Sequence, residues 1–374
     1  MFFLIISLIA AISYFLLQAF YLHHWKKLPS ISVPNTFIPQ HGITVIVVAK
    51  NEEKSIESCV QSILRQSFPP GLFELIIVDD RSSDSTAEIV EKINHPSVRY
   101  FKLGDNPSFI HPPAYKKSGI ELGVHLSKFE LIAVTDADCQ HHNDWLRSIA
   151  FVMETQQCQF LTGPVLIRNE NHLLIKMQLL ENLTLMLITG AGMQSKLHTL
   201  ANGANMAFRK TAFISVNGFE GNYEYASGDD MFLAEKMSMH FKNQTRFLKS
   251  ANAVVSTHGK YTWSTLIKQR IRWAEKNKGL KNKRISTIWF FVGFYHVMIV
   301  MCLIASLFLP QFIFITLMLL FVKWVADYVL VRQASKFFMV QIPVADFIKL
   351  QFMYTYYLIR LGGSLLLGGK SDWN

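Results

Sequence analysis

The chain opens on an apolar run, Phe2 to Leu22, with no charge over about twenty residues, enough to cross roughly 30 Å of hydrocarbon as a helix. No basic residue precedes it and HHWKK, His23 to Lys27, follows it. A cleavable signal peptide places its positive charge first and a small-residue cleavage site last, so this run reads as an anchor. Pro29, Pro34 and Pro39 then mark a linker. At Ile43 the pattern changes. ITVIVV is a continuous β-branched run, as in a strand buried on both faces, and it ends in AKNEE, where Asn51 is the expected cap of a helix with apolar positions at Ile56, Val60, Ile63 and Leu64. The strand Leu75 to Val78 follows, then the turn RSSDST with a cap expected at Ser83, a helix through Ile89, Val90 and Ile93, and a strand over Val98 to Leu103. Strand and helix keep alternating as far as ELIAVTDAD, Glu130 to Asp138, which predicts an α/β domain on a parallel, doubly wound sheet.

Beyond Leu161, TGPVLIR reads as one strand. NHLLIKMQLLENLTLMLITGAG reads as a helix with a wide apolar face. A core helix is the plain expectation there, and an acceptor-facing or membrane-touching helix is the alternative. Ile285 to Leu309 and Gln311 to Val331 predict two more spans; in the second, Lys323 and Asp327 stand at i, i+4 and can pair. Asp346, Lys349 and Arg360 break the last apolar stretch, Val344 to Leu367, which leaves it between spanning and interfacial.

Half of the chain is hydrophobic (50%), a fraction that membrane segments explain. The net charge of +10 sits largely beside those segments, notably over 276–284, which fits an anionic inner leaflet. No basic stripe with interleaved aromatics points to nucleic acid. Basic residues after the first span and before the second place the intervening domain in the cytoplasm. Cys59, Cys139, Cys158 and Cys302 form no C-x-x-C pair or disulfide framework, which fits a reducing compartment.

The chemistry concentrates at strand ends. Asp136 and Asp138 stand at i, i+2 on an extended chain, so both point the same way and can share a hard cation or bracket a pyrophosphate. Asp79 and Asp80 end the strand LIIV, and ligands of open α/β sheets bind beyond such carboxyl ends. A third acidic pair, Asp229 and Asp230, lies in ASGDDMFL, and Gln269, Arg272 and Trp273 form Q-x-x-R-W. The plainer readings are capping aspartates for a helix near Asn143, an Asx-turn at Asp79, an acidic helix start at Asp229, and a basic amphipathic helix around Arg272.

Together and in this order, over roughly 43–278, these motifs resemble the family 2 glycosyltransferases, GT-A enzymes that include ceramide glucosyltransferase, hyaluronan synthase and the cellulose synthase catalytic subunit. The resemblance implies a divalent metal (Mg²⁺ or Mn²⁺) on Asp136 and Asp138, with Asp138 the direct ligand. It implies nucleotide contacts at Glu52, Asp79, Asp80, Lys116 and Asp136, and a nucleotide-sugar donor, most simply a UDP-sugar. It makes Asp230 the base, with Asp229 in place of the family's glutamate, and puts Gln269, Arg272 and Trp273 on the acceptor side. The chain departs from the family at Val48, Ala49 and Lys50, where many members have Pro, Thr and Tyr, and at Gly119, Ile120 and Glu121, which replace Ala-Leu-Asn after the lysine. His258 would complete the metal site as the alternative to a loop histidine; His141 and His142 are weaker candidates.

The expected organisation is an N-terminal transmembrane helix (1–25), a linker (26–42), a cytosolic GT-A domain (43–284) and a C-terminal membrane region (285–374) with two or three hydrophobic helices. The expected protein is a multi-pass enzyme of the inner (plasma) membrane. Inverting transfer of a sugar to a lipid or lipid-linked acceptor is the expected activity. The alternatives are the catalytic subunit of an exported polysaccharide synthase and, from another class, a sugar-phosphate nucleotidyltransferase, whose glycine- and lysine-rich phosphate loop AKNEEKS does not resemble.

Overall fold

The computed structural model describes residues 2–276 and 279–366. The uncharged opening run forms α1 (Phe2–Lys27), which ends at its basic residues, before the first proline of the linker. The β-branched runs and the amphipathic segments between them form β1 (Ile43–Ala49), α2 (Ile56–Leu64), β2 (Phe73–Asp79), α3 (Thr86–Glu91), β3 (Val98–Lys102), α4 (Tyr115–Leu126) and β4 (Leu131–Asp136). Shorter elements follow: β5 (Gln140–His141), α5 (Trp145–Thr155), β6 (Phe160–Thr162), β7 (Val165–Ile167), α6 (Leu173–Gln194), β8 (Met206–Arg209), α7 (Lys210–Ser215), α8 (Asp229–His240), β9 (Thr245–Phe247), β10 (Val255–Thr257) and α9 (Trp263–Lys276). Three long helices close the described chain, α10 (Lys283–Ser306), α11 (Phe312–Phe338) and α12 (Val344–Leu366).

The main sheet has seven strands in the order β3-β2-β1-β4-β8-β6-β9. β1 lies between β2 and β4 and runs parallel to both, which is why its residues are buried with almost no alternation. β8 runs antiparallel to β4 and β6, so the sheet is mostly parallel with one reversed strand. Chain order reverses direction across β1: β2 is placed on one side and β4 on the other. That switch point opens a crevice beyond the strand ends. The register fixes what faces it, since Ala49 pairs with Asp79 and Val48 with Asp136. A second sheet of three strands, β5-β10-β7, stands beside it.

Three local expectations are corrected. Asn51 does not cap α2, which begins after Ser55; Asn51 takes a left-handed φ of 56° and its Oδ1 accepts from the Ser83 amide at 2.8 Å, tying the loop after β1 to the loop after β2. Ser83 is used up in that tie, and α3 starts after Ser85. TGPVLIR is two strands: β6 joins the main sheet and β7 the small one, with Gly163 and Pro164 at the break.

Among the described residues, four helices are long and apolar enough to cross a membrane: Phe3–Lys27, Leu173–Gln194, Lys283–Ser306 and Phe312–Phe338. The protein itself buries 67% of the most apolar stretch of Leu173–Gln194, against 28%, 22% and 33% for the other three. α6 is therefore a core helix. It packs on α1, α11, α12, β7 and β9, joining the sheet to the apolar helices. The core itself crosses that junction: Tyr21 and Trp25 of α1 and Leu330, Ala334 and Phe338 of α11 belong to the cluster that holds Val45, Leu75 and Ala133 of the sheet. Trp25 is fully buried and meets Phe247 and Phe337 edge-on. Each such large side chain contributes about 1.5–3 kcal/mol by burial, so α1 is held to the α/β domain by several of them. Lys323 and Asp327 pair at 2.6 Å, as their spacing predicts.

Candidate active site

The crevice collects the acidic pairs from three directions. β4 ends in Asp136, and Asp138 and Cys139 follow at once; one ligand atom from each of these three lies within 4.8 Å of the others. Glu52, on the loop after β1, is close enough for Asp138 to act on it: burial first, then the Asp138 charge, push its carboxyl up to about 7. Burial also raises Asp136, with Asp138 adding to the effect and Lys116 opposing it. The Cys139 thiol is driven well above its usual range by burial and by the same two aspartates, so it stays protonated and offers a poor ligand. The donors that remain are hard carboxylate oxygens whose negative charge Lys116 offsets only at Asp136, a set that suits Mg²⁺ or Mn²⁺.

Lys116 stitches the crevice together. Its Nζ lies 2.6 Å from Asp136 Oδ1 and 3.2 Å from Asp229 Oδ2, so it joins the end of β4 to the start of α8. Burial alone would lower its proton affinity, but the two carboxylates more than offset this and the ammonium stays charged well above the usual lysine range. For Asp229, burial acts to raise the carboxyl, yet Lys116, Lys276 and Lys117 outweigh it and hold it below the usual range. Two adjacent carboxylates would be expected to raise each other's proton affinity. The lysines reverse that expectation for Asp229.

Asp230 faces elsewhere, with its Oδ1 3.2 Å from Lys276 Nζ. Lys276 belongs to the Q-x-x-R-W helix α9, where Arg270, Trp273 and Lys276 recur at i, i+3 and share a face: the Arg270 guanidinium lies 4.1 Å and the Lys276 ammonium 5.8 Å from the Trp273 ring centroid. Gln269 Oε1 accepts from Arg270 at 3.3 Å, and the Arg272 carbonyl lies 3.5 Å from Ser227 Oγ, which links α9 to the loop before α8. Arg270 also ion-pairs with Glu181 of α6.

On the far side, Asp79 accepts from the Ser82 amide at 3.2 Å, the Asx-turn of the plainer reading. Asp80 is buried and pairs at 3.0 Å with Arg81, whose guanidinium lies 3.7 Å over the Tyr115 ring. The histidines stand outside the cluster. His258 is exposed and pairs with Glu170 at 3.4 Å, and His142 is exposed too. His141 is buried between Ser62 Oγ (2.9 Å) and Thr135 Oγ1 (2.8 Å), and burial lowers it to about 3, so it is a neutral packing residue.

The motifs missed Lys117, which is fully buried and donates to the carbonyls of Tyr225 and Ser227, fixing the loop that delivers Asp229 and Asp230. A lysine beside Lys116 on a helix reads as solvated, and nothing in the spacing distinguishes it. The two departures from the family pattern meet one another: a Cβ on Gly119 would stand 2.8 Å from Val48 Cγ1, so the larger side chain at 48 fits because the helix residue beside it has none. Gly203 is confined as well, since a Cβ there would lie 2.8 Å from Asp229 Oδ2 and 3.0 Å from Lys116 Nζ. Gly203→Ala should wedge that ion pair apart and lower kcat by about tenfold with the melting temperature little changed, because sub-ångström misplacement is felt in rate before stability. Unchanged kinetics would show that the pair does not position the reaction.

This geometry, an α/β sheet with carboxylates gathered at its switch point, matches known proteins in several ways. The model for glycosyl transferase family 2 matches residues 44–216, and that for glycosyl transferase family group 2 matches residues 131–356, more than half of the chain. The chain therefore belongs to the family 2 glycosyltransferases. A mannosyltransferase from Pyrobaculum calidifontis, solved with GDP-mannose and Mn²⁺, superposes over 98% of this chain and 99% of its own with a TM-score of 0.59 at 18% identity, which shows the GT-A fold. Among curated relatives, the poly-β-1,6-N-acetyl-D-glucosamine synthase of Staphylococcus aureus is 25% identical over 264 residues, 67% of this chain and 57% of its own length. The β-monoglucosyldiacylglycerol synthase of Trichormus variabilis is 29% identical over 115 residues, 31% of this chain and 24% of its own. The chain thus spans well under two thirds of the curated relatives it matches.

Proposed function

We propose that this glycosyltransferase moves a sugar, with inversion, from a nucleotide-diphosphate sugar to a lipid or lipid-linked hydroxyl at the cytoplasmic face of a membrane. The observation that carries the reading is the Lys116 bridge between Asp136 and Asp229, which sets a donor-side carboxylate group and an acceptor-side carboxylate pair in one crevice. Asp136 and Asp138 would hold a divalent metal, which supplies counter-charge for the departing pyrophosphate. Glu52, Asp80 and Arg81 line the side where the nucleotide would lie. Asp230 is the base for the acceptor hydroxyl, and Lys276 orients it. Gln269, Arg272 and Trp273 act on the acceptor side, where arginine offers fixed donors and tryptophan a stacking face. One base with no second nucleophile supports single displacement.

The donor is tested by incubating the full chain, in membranes, with UDP-, GDP- and dTDP-sugars and extracted lipid; sugar appearing in the lipid phase is the expected result, and turnover with none of them overturns the reading. The proposed topology is supported by where three helices meet the α/β domain. Trp25 near the end of α1, Ile285 near the start of α10 and Phe338 at the end of α11 all pack into it, so three crossings return the chain to one side. Basic residues at those junctions support a cytoplasmic location for that side. Protease added to intact cells should leave residues 43–276 uncut. Cleavage there without permeabilisation would reverse the orientation and remove access to a cytosolic donor.

A further inference from the structure

The helix α11 presents two different faces. Lys323 turns inward, 1% exposed, and is spent on Asp327 Oδ2 and Gln351 Oε1, both at 2.6 Å. The outward face is apolar at Phe321, Val325 and Val329, which are 69%, 41% and 42% exposed, and it turns basic at the exposed Arg332 and Lys336. Phe321 and Arg332 stand about three turns apart, as do Val325 and Lys336, so each pair lies on one line of the helix. Such a line is about 16 Å long, roughly half the hydrocarbon thickness of a bilayer and so the depth of one leaflet. Phe338, just beyond, is set in the core of the α/β domain, so the basic end is on the domain's side.

At that end an open pocket of about 540 Å³ lies where α11 passes into α12, a size that small-molecule sites have. Tyr328, Arg332, Ser335, Lys336 and Gln341 bring polar groups to it, and its described lining holds no acidic residue. Among the described residues neither Arg332 nor Lys336 has an ion-pair partner, because the carboxylates that flank the segment, Asp327 and Asp346, face Lys323 and Lys176. Basic residues at a helix end satisfy the positive-inside preference without any pocket. Ser335 is what that preference does not explain: it is 9% exposed, and its buried Oγ has no hydrogen-bond partner, an arrangement that a ligand atom relieves. Two unpaired cations and an orphaned hydroxyl at the foot of an apolar line complement an amphiphile with an anionic head. A zwitterionic head would set its ammonium beside both cations; a head with hydroxyls beyond its phosphate offers partners to Ser335 Oγ and the Gln341 amide.

We propose that this pocket seats the head of an anionic glycerophospholipid from the leaflet on the domain's side, with its phosphodiester on Arg332 and Lys336 and an acyl chain along Phe321, Val325 and Val329. The lipid is bound and not consumed; the inference rests on α11 spanning the membrane and on no step of the sugar transfer. The test is native mass spectrometry of the full chain released from nanodiscs that hold phosphatidylcholine and phosphatidylglycerol in equal amounts. Phosphatidylglycerol should stay bound, and phosphatidylcholine should not. Arg332→Gln and Lys336→Gln should each lower the retained fraction about fivefold, the size of one basic side chain's attraction to an anionic surface. Ser335→Ala should lower it about threefold, one hydrogen bond, with no loss in melting temperature, because it removes an unpaired hydroxyl. Lys349→Gln removes an exposed lysine that does not line the pocket, and it should change nothing. Equal retention of the two phospholipids, or an equal loss in Lys349→Gln, makes the attraction a diffuse one and overturns the proposal. Displacement of phosphatidylglycerol by polyprenyl phosphate or by inorganic phosphate overturns it too, since the pocket then serves another phosphate. Sugar transfer followed on the same nanodiscs keeps the two readings apart: phosphatidylglycerol retained without transfer supports the seat and counts against the proposed acceptor.

Discussion

Asp230→Asn is expected to cut turnover by a factor on the order of 10² to 10⁴, the usual size of general-base catalysis, while affinity for the nucleotide sugar stays within a few-fold. The structure separates the two adjacent carboxylates by their partners. Asp229 belongs to the Lys116 bridge that reaches Asp136, whereas Asp230 turns to Lys276 on α9. Asparagine keeps the shape and an oxygen for Lys276 but has no lone pair basic enough to take a proton. Asp229→Asn should behave differently, weakening donor binding as well, because it removes a charge from the bridge. Calorimetry of the donor beside single-turnover transfer distinguishes them. Loss of donor affinity in Asp230→Asn would make that residue a donor ligand and refute its role as base.

Asp138→Ala should lower transfer by about 10³-fold or more, since several kcal/mol of charge stabilisation at the pyrophosphate goes with the metal. The protein should melt no lower than before. Asp138 is among the charges that raise Glu52, Asp136 and Cys139, so its removal relieves repulsion. A dead enzyme with an unchanged or higher melting temperature is a signature that misfolding cannot imitate. EDTA should silence the unsubstituted protein, and added Mn²⁺ or Mg²⁺ should restore it. Full activity in EDTA would sink the assignment.

Much of this was legible in the sequence because it was periodic or acidic at a strand end. ITVIVV and LIAVTD announce buried parallel strands, and the register then leaves their aspartates little choice but to face one crevice. What escaped had no period. β6 and β7 are three residues each, too short to show alternation, so the break at Gly163 and Pro164 was invisible and one strand was read for two. Asn51 carries the residue type of a cap but spends its side chain on Ser83, a partner 32 positions away. Lys117 and Lys276 looked like surface lysines; only the fold shows one fully buried under the loop before α8 and the other against Asp230. For α6 a core helix was the plainer reading of the wide apolar face, with a membrane-touching one as the alternative, and the neighbours bear out the core.

The core shared by α1, α11 and the sheet acts as a ruler. Because Tyr21, Trp25 and Phe338 are set in the same packed interior as the strands, the crevice of the proposed membrane enzyme would stand at a fixed height above the bilayer and would not swing down to meet a substrate. The proposed lipid acceptor would then have to bring its hydroxyl to that height by the length of its own head group. Lipids that differ by one sugar in the head would be sorted by reach alone, before any contact in the crevice distinguishes them.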